Sequence, residues 1–323
     1  MGKLKEIREK GYIIPWKMLK NVVRTLPALG IAMLKHPRIV IQQHTQPRVK
    51  WMKDELPYEI PEYKEGMKFC KSNERYLRPT HFCESNAPEI IALANKLGAF
   101  EKEAWEYAES VFNFVKRNIR LAFIPMTGAV ETLKKGYGTC VHQLSLFAAL
   151  CRAGGLPARY HLYTLALIQP MYESMVEVSP IVKGWYDAFG TFMLHGTAQV
   201  KINGKWIVAD PTFTPAYEAA MGIPLAKLGD EPTGIWNYPV KGTEMFLEGL
   251  PYGIGIGWDL FVKLLGPKEA EKVNISVEKA RERGKKILQE MGEETYDEMV
   301  RKKYRAKIPK ITLEKAPQLV FID

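Results

Sequence analysis

The dipeptide Asn203-Gly204 constrains this chain more than any other two residues. It lies between 192-FMLHGTAQVKI-202 and 205-KWIVADPTF-213, two runs rich in strand formers. Asn-Gly at such a point predicts a two-residue hairpin turn, because both residues tolerate positive φ. The turn sets the register: residue 202 faces residue 205, so Asp210 falls opposite Thr197 and His195 opposite Thr212. His195 and Thr197 share a face, since strand side chains alternate. Asp210 is therefore diagonal to His195, at about 7–8 Å, within reach of long side chains. An imidazole so placed can donate a ring N–H to the carboxylate. That contact holds one tautomer and stabilises the protonated ring.

A second pattern is 135-KGYGTCVHQLSLFAALCRAGGLPARY-160. Cys140, Leu144, Phe147, Ala148 and Cys151 fall on one face of a predicted helix. Gly154-Gly155 and Pro157 end it. Cys140 thus opens the helix, where unpaired N–H groups and the helix dipole favour negative charge. The Gly136-x-Gly138 approach lets backbone come close to a bound acyl group. The Cys140 N–H is a natural donor to an oxyanion. A thiol at a helix start, with a His and an Asp paired across a hairpin, are the parts of an activated nucleophile.

These two segments resemble the core of the transglutaminase-like superfamily. Its pattern is G-x-G-x-C, a helix, G-[IL]-P-A-R, then a His on a strand and a W-x-x-x-D-P-[TS] strand. Here the matching residues are Gly136-Tyr-Gly138-Thr-Cys140, Gly155-Leu-Pro157-Ala-Arg159, His195, and Trp206-Ile-Val-Ala-Asp210-Pro-Thr212. With the lead-in helices predicted over 87–119, the resemblance covers roughly 87–215. It implies an α+β, papain-like fold in which a helix carrying the Cys packs on an antiparallel sheet carrying His and Asp. It also implies Cys140 as nucleophile, His195 as base and Asp210 as orienter, in thiol acyl chemistry on amides: cross-linking, deamidation or peptide-type hydrolysis. Gly138, Thr139 and Tyr137 form the loop that would face substrate. No Gln or Trp lies between 121 and 139, so Tyr137 is the candidate side-chain oxyanion donor. The paired-cysteine zinc motifs of the peptide N-glycanase branch and the acidic calcium loops of animal transglutaminases are absent. No cofactor or metal is expected. Cys70, His81 and Cys83 lack a trusted zinc spacing, and His142 and His161 read as structural or surface residues.

Elsewhere the pattern predicts two helices over 87–119, broken near Gly98, then an extended segment and turn over 120–134. A strand is predicted over 158–168 and an irregular insertion over 169–190, which contains Pro170, Pro180 and Gly184. The run 252-YGIGIGW-258 lacks the Lys-Ser/Thr of a phosphate loop and reads as a turn or strand crossing. Residues 276–307 read as one or two charged helices. Three regions follow: 1–60, a basic helical segment and linker; 61–240, the catalytic core; and 241–323, a mainly helical extension.

Charge is distributed unevenly. The net charge of +10 is carried by residues 1–53, which hold twelve Lys/Arg and two Glu. A basic arm on a neutral body expects an anionic partner. The stretch 16-WKMLKNVVRTLPALGIAMLKHPRIV-40 can lie on an anionic membrane surface, or it can form a helical pair packed on the core with its charges turned outward. Pro27 and Gly30 should kink or split a helix there. Nucleic acid is not the expected partner, since no binding motif is present. Four cysteines in 323 residues do not make a disulfide framework. They read as thiols of a reducing compartment, hence a cytoplasmic protein with peripheral membrane contact as an option. No apolar run reaches the ~18 residues of a membrane span.

The reading is a thiol acyl-transfer enzyme acting on amide bonds of a protein or peptide. Hydrolysis is favoured over amine transfer, because nothing in the sequence provides for a second amine substrate. The competing reading is a catalytically silent scaffold of the same fold, with a basic membrane- or anion-binding arm.

Overall fold

The computed structural model describes residues 16–45, 56–317 and 319. Residues 1–15 and 46–55 of the basic N-terminal segment, and so much of its charge, lie outside them. The segment opens with α1 (Trp16–Lys35) and α2 (Pro37–Thr45). Contrary to expectation, α1 runs through Pro27 and Gly30 as one helix. Proline deprives the carbonyl four residues back of its donor. Here that carbonyl belongs to Val23, which is exposed, so water can satisfy it.

The next helices are α3 (Pro88–Lys96) and α4 (Ala104–Asn118), separated at Gly98, whose φ is +96°. The segment after them differs from the predicted extended stretch and turn. Only β1 (Arg120–Leu121) is extended, and α5 (Ala129–Lys135) follows. Then β2 (Tyr137–Gly138) pairs in parallel with β1 and delivers the chain to α6 (Cys140–Ala153). This helix is buried from Val141 to Ala153, on every side rather than one face. It is the central element of a core that includes Leu144, Phe147, Cys151, Tyr160, Leu162, Ala198 and Val200.

The strand β3 (Ala158–Leu167) leads into α7 (Gln169–Met175) and α8 (Pro180–Phe189). The predicted irregular insertion is therefore two helices. Its prolines stand in the first turn of each helix, where a missing N–H costs nothing. Ser179 caps α8 by accepting from the Val182 N–H at 3.2 Å. The hairpin follows as β4 (Phe192–Ile202) and β5 (Lys205–Ala209). Its register is Ile202 to Lys205 through Ala198 to Ala209, as the turn dictates, with Asn203 and Gly204 at φ +49° and +81°. The ladder stops one residue short of the expected Thr197–Asp210 pair. Beyond it come α9 (Pro215–Met221), β6 (Asn237–Pro239) and β7 (Met245–Leu247). The sheet order is β5-β4-β3-β6, antiparallel throughout, with β7 also on β3.

The glycine-rich run at 252–258 is neither turn nor crossing. It starts α10 (Tyr252–Leu265). Gly255 sits against Phe82, whose ring would lie 2.7 Å from any Cβ placed there. The chain ends with α11 (Pro267–Met291), α12 (Glu293–Lys303) and α13 (Lys310–Lys315). A second core joins Leu29 and Ala32 of α1 to Trp185, Phe213, Trp236, Phe261 and Val277. Among the described residues, no helix is long and apolar enough to cross a membrane.

Candidate functional site

Gly138 is the last residue of β2, and Thr139 turns the chain into α6. The Thr139 N–H donates to Nδ1 of His142 at 3.1 Å, and the Thr139 hydroxyl lies 2.7 Å from the same nitrogen. At the other ring nitrogen, the Thr127 N–H donates to Nε2 at 3.1 Å, and the Pro125 carbonyl lies 3.1 Å from the same atom. Burial lowers the His142 pKa to about 4, so the ring is neutral and anchors the loop. Gly138 is needed here, because a Cβ would lie 2.5 Å from that of His142. Cys140 is partly exposed at the first position of α6, where its backbone N–H has no partner within the helix.

His195 enters from β4. Gly196 beside it leaves room for Leu144 and Leu162, each 2.5 Å from where its Cβ would be. A bulkier residue would lift β4 off α6 and separate His195 from Cys140. His195 Nε2 lies 3.4 Å from Asp210 Oδ2, with both side chains buried. The pair is close but not aligned as a hydrogen bond. A small ring rotation would align it, as is common in sites without substrate. The other carboxylate oxygen is held in place. Asp210 Oδ1 accepts from the Thr212 N–H at 3.2 Å and the Thr212 hydroxyl at 2.5 Å. Nε2 is thus committed to Asp210, which leaves Nδ1 for Cys140.

Burial by itself would lower the His195 pKa. The neighbouring Cys140 and Asp210 outweigh it and push the imidazole up to about 9. The site therefore favours an imidazolium between two groups that can carry negative charge. Two aromatic rings pack edge-on against His195: Tyr163 at 5.5 Å and Trp236 at 4.8 Å between centroids. Neither was singled out in the sequence. Tyr163 is a strand residue like its neighbours, and Trp236 comes from a turn-rich stretch with no local periodicity.

Cys140, His195 and Thr139 line one cavity of about 90 Å³, whose remaining walls are almost wholly hydrocarbon. Asp210 lies behind His195, and Tyr137 and Gly138 are not among the lining residues. His161 is remote in role: it stacks on Phe246 at 4.4 Å and its Nε2 lies 3.2 Å from Glu244. Cys83 and Cys151 are buried, and Cys70 is partly exposed. No group of three or more His, Cys, Asp or Glu side chains among the described residues could hold a metal ion.

Residues 91–211 match the family model of the transglutaminase-like superfamily. A crystal structure of a candidate cysteine protease from Cytophaga hutchinsonii is similar at 22% identity, with a TM-score of 0.33. That match covers 43% of this chain and 42% of the other, less than half of either. Among curated proteins nothing matches. The matched span, residues 91–211, is less than half of the chain and contains Cys140, His195 and Asp210, so the likeness to a transglutaminase-like core covers the candidate site.

Proposed function

We propose that this protein is a thiol acyl hydrolase in which Cys140, His195 and Asp210 act together. One observation carries the reading: a cysteine opening a buried helix meets a carboxylate-paired histidine at the mouth of one cavity. The Cys140 sulfur attacks the acyl carbon of an amide, and its own N–H stabilises the oxyanion. The His195 imidazolium gives its proton to the departing amine. His195 then takes a proton from water, which attacks the thioester and releases the acid. Asp210 keeps the ring oriented throughout. Hydrolysis is preferred to amine transfer, because no acidic or polar pocket for a second amine lines the cavity. All four cysteines stand as free thiols, which fits a reducing, cytoplasmic setting.

The test is alkylation by iodoacetamide across pH in a Cys70→Ser background, which leaves Cys140 as the accessible thiol. Cys140 should react at least tenfold faster than free cysteine at pH 6, and His195→Ala should abolish the advantage. Reaction at the rate of a free thiol, insensitive to His195→Ala, would instead identify a catalytically silent scaffold.

A further inference from the structure

The cavity beside Cys140 is built for something other than a polar amide side chain. Its lining contains no Asp, Glu, Lys, Arg, Asn or Gln. Apart from Thr139, Cys140, His195 and Thr212, every wall residue is aliphatic, aromatic or Met. Peptide or sugar groups entering it would lose hydrogen bonds to water and regain almost none. The walls also have depth. They begin at Thr139 and Cys140 and continue to Met175, Trp185 and Phe261, which belong to the second core. A small apolar pocket lined by a nucleophile matches a short chain whose reactive carbonyl is at its tip. We infer that the group transferred through Cys140 is a short, unbranched apolar acyl group, which about 90 Å³ can hold, so that the substrate is a short-chain acyl amide or ester.

This inference rests on the proposed thiol chemistry. In it, the C–N or C–O bond of the substrate breaks as the C–S bond forms. The leaving group departs with a proton from His195, and water then releases the short-chain acid and regenerates the thiol. No oxidant or co-reactant is needed.

The experiment uses the full chain with p-nitrophenyl esters of two-, four-, eight- and twelve-carbon acids. It reads p-nitrophenol release and the acyl adduct on Cys140 by intact mass. Each added CH₂ should raise kcat/KM roughly fourfold until the cavity is full. Met175→Phe, which fills the far end, should shorten the preferred chain by at least two carbons. If Met175→Phe does not fold, the chain series on the unaltered protein decides. A flat series, or activity still rising from the eight- to the twelve-carbon ester, overturns the acyl-chain assignment while leaving the thiol chemistry intact. Failure of every ester, acetyl included, to acylate Cys140 overturns the thiol chemistry itself.

An independent observation concerns the outer surface. The outward face of α1 is apolar: Trp16, Val23, Leu26, Ile31 and Leu34 are exposed. So is that of α10, where Tyr252, Ile256, Leu260 and Leu264 recur every fourth residue. The two helices share the second core through Leu29, Ala32, Phe261 and Val262. An ordinary surface helix turns polar residues outward, and apolar patches of this kind mark interaction sites. The charges beside the patch select its occupant. Residues 16–45 contain five Lys/Arg and no Asp or Glu, and Lys20, Arg24, Lys35 and Arg38 are exposed. We propose that this face docks on an anionic phospholipid surface, with apolar side chains in the acyl boundary and cations at the headgroups.

Co-sedimentation with vesicles of phosphatidylglycerol and phosphatidylcholine, against phosphatidylcholine alone, tests this. Binding should require the anionic lipid and weaken roughly fivefold for each of Lys20→Gln and Lys35→Gln. Val23→Glu with Leu34→Glu should reduce it at least tenfold while circular dichroism stays unchanged. No binding to anionic vesicles, or binding indifferent to these variants, overturns the proposal. So does a concentration-dependent dimer that Leu34→Glu dissociates, because the face would then belong to a second copy of the chain.

Discussion

Replacing Asp210 with Asn isolates the contribution of the buried carboxylate, because it removes one charge and little volume. Oδ1 is fixed by the Thr212 N–H and hydroxyl, so the new amide keeps its oxygen there and turns its NH₂ toward His195 Nε2. Two donors then face each other at a separation of 3.4 Å. The ring escapes by giving up the Nε2 proton and keeping the one on Nδ1, on the side of Cys140. In that tautomer it cannot take the thiol proton. The same tautomer error lowers kcat roughly 10⁴-fold in other catalytic triads, and a loss of that order is expected here for ester hydrolysis. The electrostatic magnitude follows from the histidine. His195 is raised from 6.5 to about 9, which at 1.36 kcal/mol per unit is about 3 kcal/mol, shared between Cys140 and Asp210. Since the folded value is the higher one, this stabilisation is complete below pH 6.5 and disappears as pH rises through about 9. The wild-type protein should therefore lose stability across that interval, and Asp210→Asn should flatten the dependence. NMR titration of the His195 Cε1–H, with thermal melts from pH 6 to 10, reads both quantities. A variant within tenfold of wild-type activity, or an imidazole still titrating near 9, would refute the assigned role of Asp210.

Other perturbations probe the scaffold around the site. Lys116 and Glu218 form a buried pair at 2.6 Å, and Lys116 also donates to the Phe213 carbonyl at 2.8 Å, next to the cavity wall. Lys116→Met strands Glu218 and should cost about 3–5 kcal/mol in chemical denaturation. Adding Glu218→Gln should recover more than half of that loss. Gly284 of α11 lets α9 lie against it, with the Ala216 carbonyl only 1.6 Å from any added Cβ. Gly284→Ala should therefore destabilise by at least about 3 kcal/mol or prevent folding. Gly222→Ala meets no atom within 4 Å but has φ of +68° and ψ of 27°, so it should cost only about 1–2 kcal/mol, as calorimetry can compare.

The parts of the site that were legible in the sequence obey short-range rules. Asn203-Gly204 imposes its register on both flanking strands, and the chain continued one residue beyond that ladder brings Asp210 to His195. The glycines and Thr139 before Cys140 mark a helix start by local backbone preference. The misread segments have an equally physical cause. Pro170 and Pro180 read as breakers by residue type, but a proline in the first turn of a helix lacks only a hydrogen bond that no residue makes there. Gly255 read as turn material, yet it permits a helix to approach Phe82. Pro27 leaves an orphan carbonyl that is tolerated because α1 is solvent-facing at that point.

What required the folded chain is the environment of the thiol. Trp236 stands beside His195, and Met175, Trp185 and Phe261 line the cavity, yet they come from separate helices and a loop up to 121 residues from Cys140 in sequence. No periodicity reports such convergence, because it depends on how the two cores meet. Local hydrogen bonding and turn geometry, which act over a few residues, specify the reactive groups and their order. Burial acts over the whole molecule, and it sets the polarity of the space in which those groups work.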